Sequence, residues 1–143
     1  MKNISRIFPL LAVFASVSAF ATIEHDTCRL YLPVNNVITG WGEFREKLIK
    51  KGFEIVEVPA TDVPTLPVNT LFTSLHYHYN RVGLKNTCSF QLTLSRIVQQ
   101  EPFQSVMIFD EKRVTNRFSL SKTVNCNPAG EHVFAAFPKC VKK

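Results

Sequence analysis

The chain has 143 residues, 45% of them hydrophobic and 20% charged, with a formal charge of +6. Its basic residues are scattered, among them Arg45, Lys47, Lys50, Lys51, Arg81, Lys85, Arg96, Lys112 and Arg113, and mass only in the closing tail from Lys139. There is no basic helical stripe, zinc-finger spacing or basic–aromatic alternation, which excludes nucleic acid as an expected partner; charge of this size mostly serves solubility, and leaves room for a modest attraction to anionic glycans, lipid head groups or acidic proteins.

Residues 1–21 read as a secretory signal peptide. Lys2 and Arg6 give a basic start, Ile7 to Val17 is apolar apart from Pro9 and Ser16, and Ala19-Phe20-Ala21 is a small-x-small cleavage site. The apolar run is shorter than the roughly 20 residues a spanning helix needs. Cys28 follows His25-Asp26-Thr27 well past that site, so lipid attachment is not expected. Removing the leader leaves residues 22–143 and takes Lys2 and Arg6 with it, lowering the charge from +6 to +4. That length suits one domain with a core. No later segment is long and apolar enough to span a bilayer, and the expected location is the periplasm or the medium beyond it.

Within residues 22–143, Thr27 to Leu32 suits a first strand ending at Pro33, and Asn35 to Gly40 a loop. Trp41, Phe44, Leu48 and Ile49 then recur at helical spacing, which predicts a helix with Thr39 as N-cap and Gly52 as the residue just past its C-terminus. Trp41, whose phase with Phe44 and Leu48 makes it core-facing, is secondarily a ligand platform. Phe53 to Val58 follows as an alternating strand, and Asp62, Pro64 and Pro67 mark a loop.

Leu71 to Tyr79 returns to β composition, with Thr73, Leu75, Tyr77 and Tyr79 on one side. Arg81 to Asn86 is a turn around Gly83. Cys88, Phe90, Leu92 and Leu94 alternate with Ser89, Gln91, Thr93 and Ser95, the pattern of a strand with one wet face. Ser105 to Arg113 and Arg117 to Val124 read as two further strands, and Asn127-Pro128-Ala129-Gly130 as a hairpin turn or the start of a helix. Phe103, Met107, Phe109, Phe134 and Phe137 read as packing residues. The expected fold is α+β: a βαβ-like opening, an antiparallel meander, and a short C-terminal helix or hairpin.

Four cysteines, Cys28, Cys88, Cys126 and Cys140, allow three pairings. No Cys-x-x-Cys or zinc knuckle is present, so structural disulfides are expected. Whether residues 127–137 form a hairpin or a helix rising about 15 Å, Cys126 and Cys140 struggle to meet, so each is expected to pair with Cys28 or Cys88.

His76, His78 and Asn80 share one side of a strand, the two imidazoles spaced so that they could share a divalent metal. A tight site needs a third ligand, for which His25, Asp26, Glu131 and His132 are unplaced candidates; the simpler reading is a solvated strand face. Adjacent acid–base pairs at His25-Asp26 and Glu131-His132 point in opposite directions if extended. No hydrolase, zinc-protease or phosphate-loop motif occurs, and no catalytic residue, metal or cofactor is assigned. The expected function is an exported binding module for a protein or envelope component. The alternatives are a small hydrolase or metal-binding protein using His76 and His78, and an enzyme inhibitor presenting a rigid loop at residues 62–69 or 81–86.

Overall fold

Seven strands, two α-helices and a 3-10 helix follow one another in the computed structural model, which describes residues 21–34, 41–121 and 126–143, with the side chains of Trp41, Gly42 and Asn127 excepted. The expectations for the leader, the 35–40 loop, the Thr39 cap and the Trp41 side chain lie outside the described residues. In chain order these are β1 (Thr22–His25), β2 (Arg29–Val34), α1 (Trp41–Lys50), β3 (Glu54–Pro59), the 3-10 helix (Ala60–Thr65), β4 (Leu71–Val82), β5 (Lys85–Gln99), β6 (Gln104–Phe118), α2 (Asn127–Ala136) and β7 (Lys139–Lys142). The main sheet has the order β3-β2-β4-β5-β6, and β1 pairs separately with β7. The fold is α+β.

β2 and β3 are parallel, which obliges a crossover, and α1 supplies it. β2 is also parallel to β4, but only through Leu30↔Leu71 and Tyr31↔Phe72. This explains why β2 continues through Pro33 instead of stopping there: past Tyr31 the β4 side has no ladder left for the missing N–H to break. β4, β5 and β6 form the antiparallel meander.

The core lies between the two helices and one face of this sheet. Leu30, Leu32, Leu71, Leu92 and Leu94 are buried from the sheet side, and Phe44, Leu48, Val133, Phe134 and Phe137 from the other. Aromatic edges meet ring faces through the layer: Phe44–Phe134 at 4.7 Å, Phe109–Phe137 at 5.2 Å and Phe90–Phe134 at 5.9 Å between centroids. Ile49, expected inward, is exposed, because Phe44 and Leu48 alone hold the narrow contact stripe. In α2 Ala129, Gly130, Val133 and Phe134 are buried, and so is Phe137 at its C-cap, a helical stripe that decides between helix and hairpin.

Gly52 ends α1 in a Schellman motif. Its N–H donates to the Ile49 carbonyl at 2.9 Å and the Phe53 N–H to the Leu48 carbonyl at 3.3 Å, with φ +91° at Gly52. The Cys140 carbonyl oxygen lies 2.6 Å from where a Cβ would stand.

Disulfides join Cys28 to Cys140 and Cys88 to Cys126, with Cα separations of 5.8 and 5.7 Å. The first ties β7 to the start of β2, and the second ties the entrance of α2 to β5. Two disulfides fit a protein exported to an oxidising compartment. No helix among the described residues is long and apolar enough to cross a membrane.

The last part of the chain departs from expectation in three ways. The two strands expected over 105–124 are one continuous β6 ending at Phe118, and residues 122–124 lie outside the described residues. Phe103 and Met107 are exposed, Phe103 because it lies in the turn before β6 and Met107 on β6 itself, which as the outer strand has a neighbour on one edge only. Thr93 and Ser95, expected on a wet face, are buried. Thr93 exchanges a 2.6 Å hydrogen bond with the Ser74 hydroxyl, and Ser95 sits in register between Phe72 and Met107 at a register shift of the β5–β6 pair.

Candidate functional site

Directly opposed residues of an antiparallel pair share a face, so the register sorts the far half of the β4–β6 meander into two sides. One carries His76, Gln91 and Lys112 in a row, then His78, Ser89 and Val114, then Asn80, Thr87 and Asn116, then Val82, Lys85 and Phe118. The other carries Tyr77 with Phe90 and Arg113, Tyr79 with Cys88 and Thr115, and Arg81 with Asn86 and Arg117.

His76, His78 and Asn80 therefore stand together and exposed on the first side. Their register neighbours are Gln91, Ser89 and Thr87, none of them acidic. Asp110 is nearby on β6, where Gln91 Nε2 donates to its Oδ1 at 2.7 Å. Among the described residues no group of three His, Cys, Asp or Glu converges on a metal-sized site.

The candidate third ligands sit elsewhere. His25 is buried on β1: its Nε2 donates to the Asn69 carbonyl at 2.8 Å and its Nδ1 accepts from the Thr27 N–H at 3.3 Å. A carbonyl only accepts and an amide N–H only donates, so both ring nitrogens are committed to holding β1 against the approach to β4. His132 on α2 faces Glu111 of β6, 3.8 Å from Nε2 to Oε1, and not its sequence neighbour Glu131.

Glu131 instead lines a shallow cleft of about 340 Å³ between α1 and α2, with Lys47, Lys50, Lys51, Phe134, Ala135 and Lys139. Its lysines serve the fold. Lys51 Nζ donates to the carbonyls of Ala135 at 2.9 Å and Phe137 at 2.8 Å, capping the negative end of α2. Burial, and secondarily the charge of Lys139, hold its ammonium below the usual lysine value. Lys47 lies over the Phe134 ring, 5.2 Å from the centroid.

On the second side of the meander, Tyr77 and Tyr79 are only partly covered. Tyr77 packs edge-on to Phe90 and donates to Cys126 Sγ at 3.3 Å, and burial followed by the neighbouring Tyr79 pushes its phenol above the usual tyrosine value. Tyr79 donates to Asn86 Oδ1 at 2.7 Å, and Asn86 Nδ2 donates to the carbonyls of Leu84 and Arg117, stitching the three strands together.

At the tip Arg81 reaches across the turn, donating from Nε to the Gly83 carbonyl at 3.0 Å and from Nη1 to the Ser121 carbonyl at 3.1 Å. The Ser119 N–H donates to the Leu84 carbonyl at 3.0 Å. Four apolar side chains stand out from this braced end: Val82, Leu84, Phe118 and Leu120 are 71, 52, 78 and 85% exposed. The 81–86 turn is one of the two expected candidate inhibitor loops, but its apolar character, and the part taken by Phe118 and Leu120, are not among the expectations. The signal for that character is the composition of the turn, where Val82 and Leu84 flank Gly83 in place of the polar residues usual there.

No family model matches the chain, and no curated protein does. Among solved structures, the chain is similar to lipoprotein GNA1162 from Neisseria meningitidis, at 13% identity over 80% of this chain and 94% of that one, with a TM-score of 0.39. A similarity that distant carries no functional inference.

Proposed function

We propose that the protein is an exported, disulfide-stapled module that binds a protein or envelope component through the open edge of its sheet. The observation that carries this reading is β6: fifteen residues long and last in the sheet order, it exposes Val106, Met107 and Ile108 in succession. An outer strand is a template for an added strand, with main-chain bonds giving affinity and alternate side chains giving selectivity. Lys112, Arg113 and Arg117 farther along β6 discourage unspecific pairing of edges. The two disulfides support the reading because a rigid edge loses little entropy when a partner docks.

Export rests on the leader pattern of residues 1–21, with cleavage before Thr22. His76, His78 and Asn80 act in this reading as part of a polar sheet face two strands in from the binding edge, without a metal or a catalytic role.

The test is site-specific photo-cross-linking in the producing cell. A photoreactive residue at Met107 is expected to give a discrete adduct that the same residue at exposed Ile49, on α1, does not. No adduct at position 107, or the same adducts at both positions, overturns the assignment.

A further inference from the structure

We propose that the tip of the meander is a membrane-surface contact, with Val82, Leu84, Phe118 and Leu120 entering the interfacial layer of an anionic bilayer and Arg81, Lys85 and Arg117 lying at its head groups. This goes beyond an edge-bound partner: Met107 and Phe118 are eleven positions apart on one strand, about 35 Å, so the two surfaces sit at opposite ends of β6.

The first argument is exposure without flexibility. The tip's apolar side chains are more than half exposed, yet the main chain beneath them is held by the Ser119–Leu84 bond, by both Arg81 bonds and by Asn86. Surface apolar residues scattered singly need no explanation. Four on one braced end form a preorganised apolar cap.

The second argument is charge. The sequence contains no aspartate or glutamate from Val63 to Gln100, and none from Lys112 to Gly130. All of β4 and β5, and β6 beyond Glu111, are therefore free of acidic residues. Against that background the register puts Lys85 on one side of the tip and Arg81 and Arg117 on the other, with Lys112 and Arg113 farther back. The cap thus has a cationic collar on both faces, complementary to a negatively charged plane, where each Lys or Arg adds about fivefold to partitioning.

The third argument is shape. A standard protein interface uses about 20–30 residues a side, far more than a finger end offers. Interfacial binding needs only a few apolar side chains buried to about 5–10 Å together with nearby cations.

The test is co-sedimentation of the purified exported protein with vesicles of phosphatidylcholine alone, or with one-third phosphatidylglycerol, at low and high salt. Binding is expected only to the anionic vesicles and to weaken with salt. Phe118→Ser with Leu120→Ser should cut partitioning at least about tenfold, and Lys85→Gln with Arg117→Gln about 25-fold. Unchanged thermal midpoints of both variants show that the fold is kept. No binding to anionic vesicles, or equal binding by either double variant, overturns the proposal. So does retention only on native envelope vesicles that protease treatment abolishes, which assigns the tip to a protein partner. An adduct at position 107 without vesicle binding leaves the edge reading standing and removes this one.

Discussion

Gly52 concentrates two constraints in one residue. Its φ of +91° lies in the left-handed region, where a side chain costs about 1–2 kcal/mol, and the Cys140 carbonyl oxygen would stand only 2.6 Å from a Cβ. That carbonyl cannot retreat easily, since the Cys140 N–H is fixed to the Lys51 carbonyl at 2.9 Å and its sulfur to Cys28. Gly52→Ala should therefore cost about 2 kcal/mol or more and lower the thermal midpoint by about 8 °C or more; a fall under about 2 °C would show that β7 can shift without penalty. The conformational half of this constraint is legible in the sequence, because Lys50-Lys51-Gly52 closes a periodic helix. The steric half is not, because it depends on a backbone atom 88 positions away. His25 is hidden for the same reason: its partner is a backbone carbonyl at Asn69, and no residue type announces a carbonyl.

At the scale of elements, what the sequence reveals tracks local periodicity. α1, β3 and the buried stripe of β5 follow from spacing alone. In α2 the stripe Ala129, Gly130, Val133, Phe134 and Phe137 competes with a turn signal at Asn127 to Gly130, and burial against Phe90 and Phe44 settles it in favour of the helix. That helix ends on a capping lysine whose titration can be followed. Lys51 is held below its ordinary value of 10.5, so approaching that value from below the unfolded chain keeps a proton the folded chain has lost, and stability rises with pH. Tyr77 works the other way. Its phenol is held above the ordinary 10.0, so above that pH the unfolded chain ionises first and stability falls as pH rises. Urea midpoints measured from pH 8 to 11 should therefore show Lys51→Gln flattening the rise and Tyr77→Phe flattening the fall. If both variants track the parent protein, these two groups do not govern the alkaline limb.

Across the whole molecule, the part least visible in the sequence is the closure of the chain on itself. β1 and β7 are four residues each and pair in parallel from opposite ends of the described chain, Ile23 opposite Cys140; neither run is long enough to show a period. The Cys28–Cys140 disulfide spans 112 positions and Cys88–Cys126 spans 38, which on loop entropy alone gives about 4.8 and about 4 kcal/mol. Against a net stability of about 5–15 kcal/mol for a domain, either loss brings the protein close to unfolding, so the similar totals must be told apart by where the structure opens. Cys28→Ala with Cys140→Ala removes the staple from β1–β7, from the Lys51–Cys140 main-chain bond and from the Gly52 turn. Amide exchange should then accelerate at residues 22–25 and 139–142 and at the end of α1, leaving β4 and β5 protected. Cys88→Ala with Cys126→Ala should instead release the entrance of α2 from β5, accelerating exchange at residues 129–131 while β1–β7 stays closed. Because the two bridges join different pairs of elements, β7 to the start of β2 and α2 to β5, the stability losses should roughly add, and a strongly non-additive quadruple variant would mean that the termini and the meander unfold as one unit.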